Sequence, residues 1–435
     1  MAIGIPNFQT LYQTFYPASD LDYMIPKNLP LLNMINRDGE LSGDVIDHPF
    51  LYGTPQGYSP DFSTAQSQAG NAPRSVRASL RVSQAYSMVE FDDKDEALSD
   101  GEASYADLFE KTMTGRIESF LNNLDLDLHV GGTGWRGTVL AVAGQSNPFN
   151  PSQVIPVGAI AVTAGFGVEA TFEQDQQLQA ATYTGFPVAG SIYPPADGRL
   201  PSSISSPVQV TLVDPNNRLL YLSDASAFVA GSFICQAGGA LGFSSANLRG
   251  GLIGLDSWNP YGGVSVGENF CGIDRSRYPT RMAGYFMDGS RFSMEDAIKR
   301  LSAKMSVGGA RASTVGLMHP LDMDAMDSKM ATFGRYSTFD TATYGFDSII
   351  IKGAAGRIDI IADPHQVQGY ARLLDPTAIT LRHKYELPHL VEVGGKNVEQ
   401  GANFDGRTAR LRMYGQLCVT KPMTLGIVKL PQVLA

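Results

Sequence analysis

The sequence predicts an α+β subunit of elongated outline, with a long β-hairpin, one extended helix beside it and an inserted β-rich module. Three observations predict it. Residues 74–91 alternate apolar and polar over a stretch far longer than an ordinary strand. A single sustained helical period follows at 105–128 and stops on Gly131 and Gly132. Between Lys111 and Lys299 there is no lysine, and residues 145–245 of that span are short apolar pieces separated by turn signals.

The N-terminal residues 1–43 read as an arm: a helix-like piece (Phe8, Leu11, Tyr12, Phe15), then apolar turns punctuated by Pro26 and Pro30 with no sustained period. Residues 44–98 read as a hairpin. An apolar run at Val45–Tyr52 and a soft Ser-, Gln-, Gly- and Pro-rich stretch at Gly53–Pro73 lead into the alternating segment. There Val76, Ala78, Leu80, Val82, Tyr86 and Met88 are predicted to share one face, and Ser75, Arg77, Ser79, Arg81 and Ser83 the other. At about 3.3 Å per residue the segment would reach roughly 50 Å, too far for a single small core to cover.

An acidic break, Asp92-Asp93-Lys94-Asp95-Glu96, separates the hairpin from the helix. Ser99 with Glu102 and Ser104 with Asp107 have capping-box spacing. The helix steps through Tyr105, Leu108, Phe109, Met113, Ile117, Phe120, Leu121, Leu124 and Leu128, which makes one apolar stripe about 36 Å long. Leu108, Phe120, Leu121 and Leu124 are the expected core contacts of this helix. Within 145–245, strand-like runs at Val154–Thr163, Val208–Val213, Leu219–Leu222 and Phe228–Cys235 are set apart by turns such as Asp214-Pro215-Asn216-Asn217. Farther on, Ser293 with Asp296 caps a helix ending at Gly308-Gly309, and a second helix starts near Pro320. Strands are expected at Phe346–Lys352 and Arg357–Ala362.

Composition narrows the function. With 33 basic and 43 acidic residues the net charge is −10, so counterion release gives sequence-specific nucleic-acid binding little to work with. The apolar run Val154–Val168 is broken by Pro156, Gly158, Gly165 and Gly167 and is too short to span a bilayer. Met1–Pro17 carries no basic residue, unlike a signal or transit peptide. Cys235, Cys271 and Cys418 are far apart and odd in number, as expected of reduced, structural thiols in a cytoplasm.

No catalytic, cofactor-binding or metal-ligating set is expected. Gly165-x-Gly167-x-x-Ala170 opens like a dinucleotide fingerprint but lacks an acidic residue on a second strand. Gly394-Gly395-Lys396 fails as a phosphate loop, because Asn397 stands where Ser or Thr is required. The six histidines, at 48, 129, 319, 365, 383 and 389, form no close ligand pair in sequence. Asp322, Asp324 and Asp327, like Asp125 and Asp127, read as solvated helix faces.

The order of arm, long hairpin, acidic break, long helix, β-rich insertion and mixed remainder resembles the major capsid proteins of tailed double-stranded DNA bacteriophages, the Hong Kong phage fold. The likeness covers essentially the whole chain. It is carried by Gly251-Leu252-Ile253-Gly254-Leu255, Gly272-Ile273-Asp274-Arg275-Ser276-Arg277-Tyr278-Pro279, the Met318-His319-Pro320 turn, Gly356-Arg357-Ile358-Asp359-Ile360-Ile361-Ala362-Asp363-Pro364 and Lys421-Pro422-Met423-Thr424-Leu425-Gly426-Ile427-Val428. The resemblance implies an N-terminal arm (1–43), an extended loop (44–98), a spine helix opening a peripheral domain (99–144), an insertion (145–245), an axial domain (246–375) and C-terminal strands returning to the peripheral domain (376–435).

It also implies a non-enzymatic virion protein, assembled in the host cytoplasm, that forms hexamers and pentamers of an icosahedral shell. Arg74, Arg77 and Arg81 would meet acidic groups of a neighbour, with Asp92, Asp93, Asp95 and Glu96 as candidates. The expected partners are further copies of the chain, a separate scaffolding protein, a portal, a cement or decoration protein and non-specifically packaged double-stranded DNA, with no membrane and no cofactor. Two other readings are an encapsulin-like cellular shell holding cargo, whose members usually lack such an insertion, and a nucleotide-cofactor enzyme supported only by the glycine fingerprint. Some shells of this fold weld a loop lysine to a neighbour's asparagine. Here Asp44–Asp93 contains no lysine, so reversible contacts are expected.

Overall fold

The computed structural model describes residues 29–53, 57–68, 74–92, 102–130, 134–163, 171–172, 175–182, 202–238, 252–264, 269–309, 315–332, 339–341, 347–353, 356–385, 387–391, 398–400 and 406–431. The helix-like piece at Phe8–Phe15, the glycine motifs at 165–170 and 394–396 and the acidic residues Asp93, Asp95 and Glu96 lie outside them. Helices and strands are mixed, and the fold is α+β.

A 14-residue strand, Gly406–Val419, organises the first sheet. Along one edge it pairs antiparallel with Ser83–Asp92; along the other it takes Ile379–His383, His389–Leu390 and Val398–Gln400 in turn. Asn36–Asp38 adds a parallel edge to Ile379–His383. The hairpin is a separate two-stranded ribbon of Val45–Gly53 and Arg74–Arg81.

The alternating segment 74–91 is therefore two strands rather than one. It breaks at Val82, whose N–H turns back to the Asp44 carbonyl (3.0 Å), and the inward parity changes there. Before the break Ala78 and Leu80 are buried; after it Ser83 and Val89 are buried, while Tyr86 and Met88 stand half exposed. A one-residue slip in a period of two moves every later side chain to the other face. Tyr86 and Met88 thus leave the face expected of them, and the ribbon reaches about 30 Å rather than 50 Å.

The second sheet closes on itself. Trp135–Val142, Ala159–Thr163, Gln177–Thr182, Val208–Asp214, Leu219–Leu222 and Phe233–Gln236 pair antiparallel in a ring, with Ser203–Ile204 added to Gln177–Thr182. Closure removes the open edges that short strands would expose. Val139, Ile160, Val162, Leu178, Val210, Leu220 and Ile234 share its core. The barrel starts at Trp135, ahead of the expected boundary at 145, because Trp135–Val142 supplies the strand that joins Ala159–Thr163 to Phe233–Gln236. The Asp214–Asn217 turn is as the residues predict: Asp214 Oδ1 accepts from the Asn217 N–H (3.2 Å) and Arg218 takes a positive φ.

The third sheet has seven strands in the order Tyr285–Asp288, Gly426–Lys429, Tyr370–Leu374, Val315–Met318, Gly356–Ala362, Asp347–Gly353 and Phe339–Thr341. Gly426–Lys429, expected with the other C-terminal strands, crosses into this sheet and pairs with Tyr285–Asp288 and Tyr370–Leu374. Helix Met294–Val307 packs Met294, Ala297, Ile298, Leu301 and Met305 into its core and is capped by Ser293, whose Oγ accepts from the Asp296 N–H at 3.2 Å. Helix Pro320–Thr332 follows the Met318-His319 turn. Among the described residues no helix is long and apolar enough to cross a membrane.

The 28-residue helix Glu102–His129 ties these parts together. Ile117, Phe120, Leu121, Leu124 and Leu128 enter the main core, which also holds Leu31, Phe50, Leu80, Trp258, Leu317 and Leu417. Leu108 falls in the first part of the helix, whose side chains lie outside the described residues. At its C-terminal end the period fails: Leu126 and Val130 pack the opposite way, with Trp135, Phe233 and Cys235 of the barrel and Val367 after the third sheet's strand. Two polar residues of the last turns, Asp125 and His129, are buried along with the apolar ones, while Asp127 stays partly exposed.

Candidate functional site

The first candidate surface is the ribbon. Its inner face, Ile46, His48, Phe50, Ala78 and Leu80, is buried, and Phe50 meets Trp258 edge to face at 6.0 Å. Its far end is held by Tyr52 against Tyr278 (4.7 Å) and by Arg281, which donates to the Tyr52 carbonyl. The outer face and tip are different. Leu51 is 76% exposed, Tyr58 97% and Phe62 80%, and the tip helix Phe62–Ser67 buries no residue. Asp61 caps that helix, accepting from the Thr64 N–H (2.9 Å) and from the Ser63 and Thr64 hydroxyls, and these bonds lower its pKa to about 2.

The arginines of the ribbon have partners within the chain. Arg77, exposed, pairs with Asp47 at 3.3 Å, and Asp47 also accepts from Ser79 Oγ (2.8 Å). Arg74 reaches Tyr278 Oη at 3.4 Å. Arg81 is half-buried at the junction of ribbon and sheet, where its carbonyl accepts from Gln416 Nε2 (2.8 Å) while Gln416 Oε1 accepts from the Ile253 N–H (2.8 Å). Asp92 ends the strand opposite Gly406. Asp93, Asp95 and Glu96 lie outside the described residues.

The second candidate is buried, and the sequence reading missed it. Asp125 and His129, one turn apart on the long helix, meet Asp363 and His365 from the turn after Gly356–Ala362. All four side chains are at most 2% exposed. Each carboxylate is fixed through Oδ1 by a backbone N–H, Asp125 by Leu32 and Asp363 by His365, both at 2.9 Å. The Oδ2 atoms face inward. Asp125 Oδ2 lies 2.7 Å from His365 Nδ1 and 3.9 Å from His129 Nε2; Asp363 Oδ2 lies 3.1 Å from His129 Nε2.

Burial alone would drive His129 toward its neutral form, but the Asp363 and Asp125 carboxylates outweigh it and raise the imidazole's pKa. Burial would likewise raise Asp363, yet His129 and His365 hold it below the ordinary carboxylate value. A solvated face was expected for Asp125; it is buried because the helix end is enclosed by the main core on one side and by the barrel contact on the other. Asp127, partly exposed, pairs with buried Arg136 at 2.7 Å. Asp322 is also buried rather than solvated: it accepts from the Gly369 N–H (2.6 Å), and burial raises its pKa. The usable sequence signal was Asp-x-x-x-His on one helix face together with Asp-Pro-His after an apolar strand.

Other ionisable groups are structural. Arg372, fully buried, pairs with Asp256 and with Tyr261 Oη (3.3 Å). Arg275 donates to the Ser257 carbonyl (2.5 Å) and stacks on Phe270 at 4.2 Å. Burial pushes the Cys235 and Cys271 thiols up to about 12 and Cys418 to about 11, so all three stay protonated at neutral pH.

No protein-family model and no curated protein matches the chain. Among solved structures, the cyanophage A-1(L) capsid asymmetric unit is similar over 93% of both chains, at 10% identity and a TM-score of 0.48. The capsid of an empty GTA particle is similar over 94% of this chain and 98% of that one, at 8% identity and a TM-score of 0.46. A structure of Mycobacterium phage Patience covers 98% of this chain and 89% of its own, at 10% identity and a TM-score of 0.43.

Proposed function

We propose that the chain is the subunit of an icosahedral phage capsid, a non-enzymatic virion protein that assembles with copies of itself into capsomers around the packaged genome. The observation that carries this reading is the ribbon. Its inner face is anchored in the subunit core, yet Leu51, Tyr58 and Phe62 at its outer end are almost fully exposed, and its strand Val45–Gly53 pairs with no strand but its hairpin partner among the described residues. An exposed apolar tip on an open-edged ribbon gains most by lying on another subunit, where burial and edge pairing act together. Such a head-to-tail contact closes into rings where the rotation permits and so builds capsomers.

The arginine contacts belong to the same proposal in a narrower form. Arg77 already shares Asp47, so a neighbour's acidic group would have to compete with a pair inside the subunit; the 92–96 acidic group is the candidate. The scaffolding, portal and cement partners, and assembly in the host cytoplasm, rest on the family resemblance.

Negative-stain microscopy of the purified full chain tests the reading. Polyhedral shells or capsomer sheets are the expected outcome, and a dispersed monomer under all conditions would defeat it. Leu51→Asp with Phe62→Asp should leave the subunit folded by circular dichroism and abolish particles. Reversing Arg74, Arg77 and Arg81 together should do the same, and normal shells from that variant would remove the arginines from the interface.

A further inference from the structure

The four-residue centre at the end of the long helix has more inward-facing negative charge than its hydrogen bonds account for. Two carboxylates are buried completely, and burying them without compensating positive charge is costly. Two protons on the imidazoles could supply that charge. The geometry of the contacts favours a different occupant. His129 Nε2 and Asp363 Oδ2 lie 3.1 Å apart, yet neither has a hydrogen-bond partner and both are shut off from solvent. An imidazolium donating to Asp363 would make a well-aligned hydrogen bond, and the 3.1 Å pair does not meet hydrogen-bond geometry. One ligand atom from each of Asp125, His129 and Asp363 lies within 4.8 Å of the other two, and the carboxylate oxygens facing His129 Nε2 are Asp125 Oδ2 and Asp363 Oδ2.

Ligand atoms about 2.0–2.1 Å from a tetrahedral ion stand roughly 3.3 Å from each other. The separations of 3.1 Å and 3.9 Å around His129 Nε2 bracket that value. The surroundings complete the pattern: backbone N–H groups orient both carboxylates through Oδ1, and His365 Nδ1 reaches Asp125 from outside. Ligands held this way by outer partners are a regular feature of metal sites. Arg372, the nearby cation acting on His129, is already matched by Asp256.

We propose that Asp125 Oδ2, His129 Nε2 and Asp363 Oδ2 form a structural site for a divalent transition-metal cation, Zn2+ foremost, with His365 positioning Asp125. The nitrogen and oxygen donor set without thiolate suits such an ion. The site joins the long helix, the segment at Leu32 and the turn after Gly356–Ala362, so the ion would pin the helix end to the third sheet. Because it is closed to solvent, it would be filled during folding.

The test uses the full chain expressed in zinc-supplemented medium and dialysed extensively. Elemental analysis should find about one ion per chain, and His129→Gln or Asp363→Asn should lower that by about tenfold or more. Variants that stay folded and keep the full metal content would overturn the assignment. If neither variant folds, the wild-type chain expressed with Co2+ decides: strong visible d–d bands of a low-coordinate nitrogen and oxygen site support the proposal. A wild-type chain without metal from either medium, with a thermal midpoint unmoved by chelator, shows a centre held by protons alone and rejects it.

Discussion

Gly254 illustrates how one residue fixes the placement of an entire helix. A Cβ built there would lie 2.5 Å from the Asp127 and Leu128 carbonyl oxygens and closer still to that of Val130, the last carbonyls of the long helix. The backbone of 254 is ordinary extended chain, so space and not conformation demands glycine. Gly254→Ala must push the helix end away from the core, and overpacking of this kind costs about 1–3 kcal/mol. Denaturant unfolding of the unassembled subunit should show a loss of that size, and an unchanged midpoint would mean that the helix end is free to shift. Gly254 was legible in the sequence only as one residue of a stretch that carried a resemblance, because the close approach joins segments more than a hundred residues apart. Asp125 was illegible for a related reason. Local period assigns an aspartate on a helix to solvent, and only the tertiary enclosure of 124–130 overrides it.

At the scale of elements, the long helix and the ribbon show what periodicity conveys and where it stops. The apolar steps at Ile117, Phe120, Leu121 and Leu124 mark the buried stripe directly, since one face of this part of the helix meets one core. Phe120→Ala should cost about 3–5 kcal/mol through lost transfer energy and an incompletely filled cavity, read as a lower thermal midpoint of the subunit. Alternation located the ribbon but not the break at Val82, because a strand change after one unpaired residue leaves composition untouched while reversing parity. His48 makes the ribbon's docking depend on pH. It sits on the inner face against Phe50 at 4.7 Å, and burial, with Arg382 adding to it, lowers its pKa below 6.5. The folded state therefore resists the proton that the undocked state takes up. The stabilising contribution is present above about pH 6.5 and declines as pH falls through and below that value. Limited proteolysis should cleave the ribbon faster at pH 5 than at pH 7.5, and His48→Phe should flatten that difference.

In the whole molecule, the barrel, the third sheet and the ribbon have different relations to their surroundings. The barrel is closed and the seven-stranded sheet carries its helices, whereas the ribbon leaves an apolar tip exposed. Turn chemistry and short apolar runs announced a β-rich module, but ring closure through Trp135–Val142 and the crossing of Gly426–Lys429 into another sheet depend on contacts distant in sequence, which no local pattern encodes. If the ribbon holds copies together, the bonding available to it decides whether the shell is permanently welded. An isopeptide link needs an uncharged lysine amine facing an asparagine amide, with a carboxylate to move protons. Asp44–Asp93 contains no lysine, and the nearest, Lys27 and Lys94, flank it. Arginine cannot replace lysine in that reaction, since its guanidinium stays protonated at any usable pH. Contacts through Leu51, Tyr58, Phe62 and the ribbon edge are all reversible. Particles boiled in detergent should therefore run on a reducing gel as a single band near 46.7 kDa, and a ladder of covalent multimers would place a reactive lysine outside the ribbon and end this account of how the shell is held.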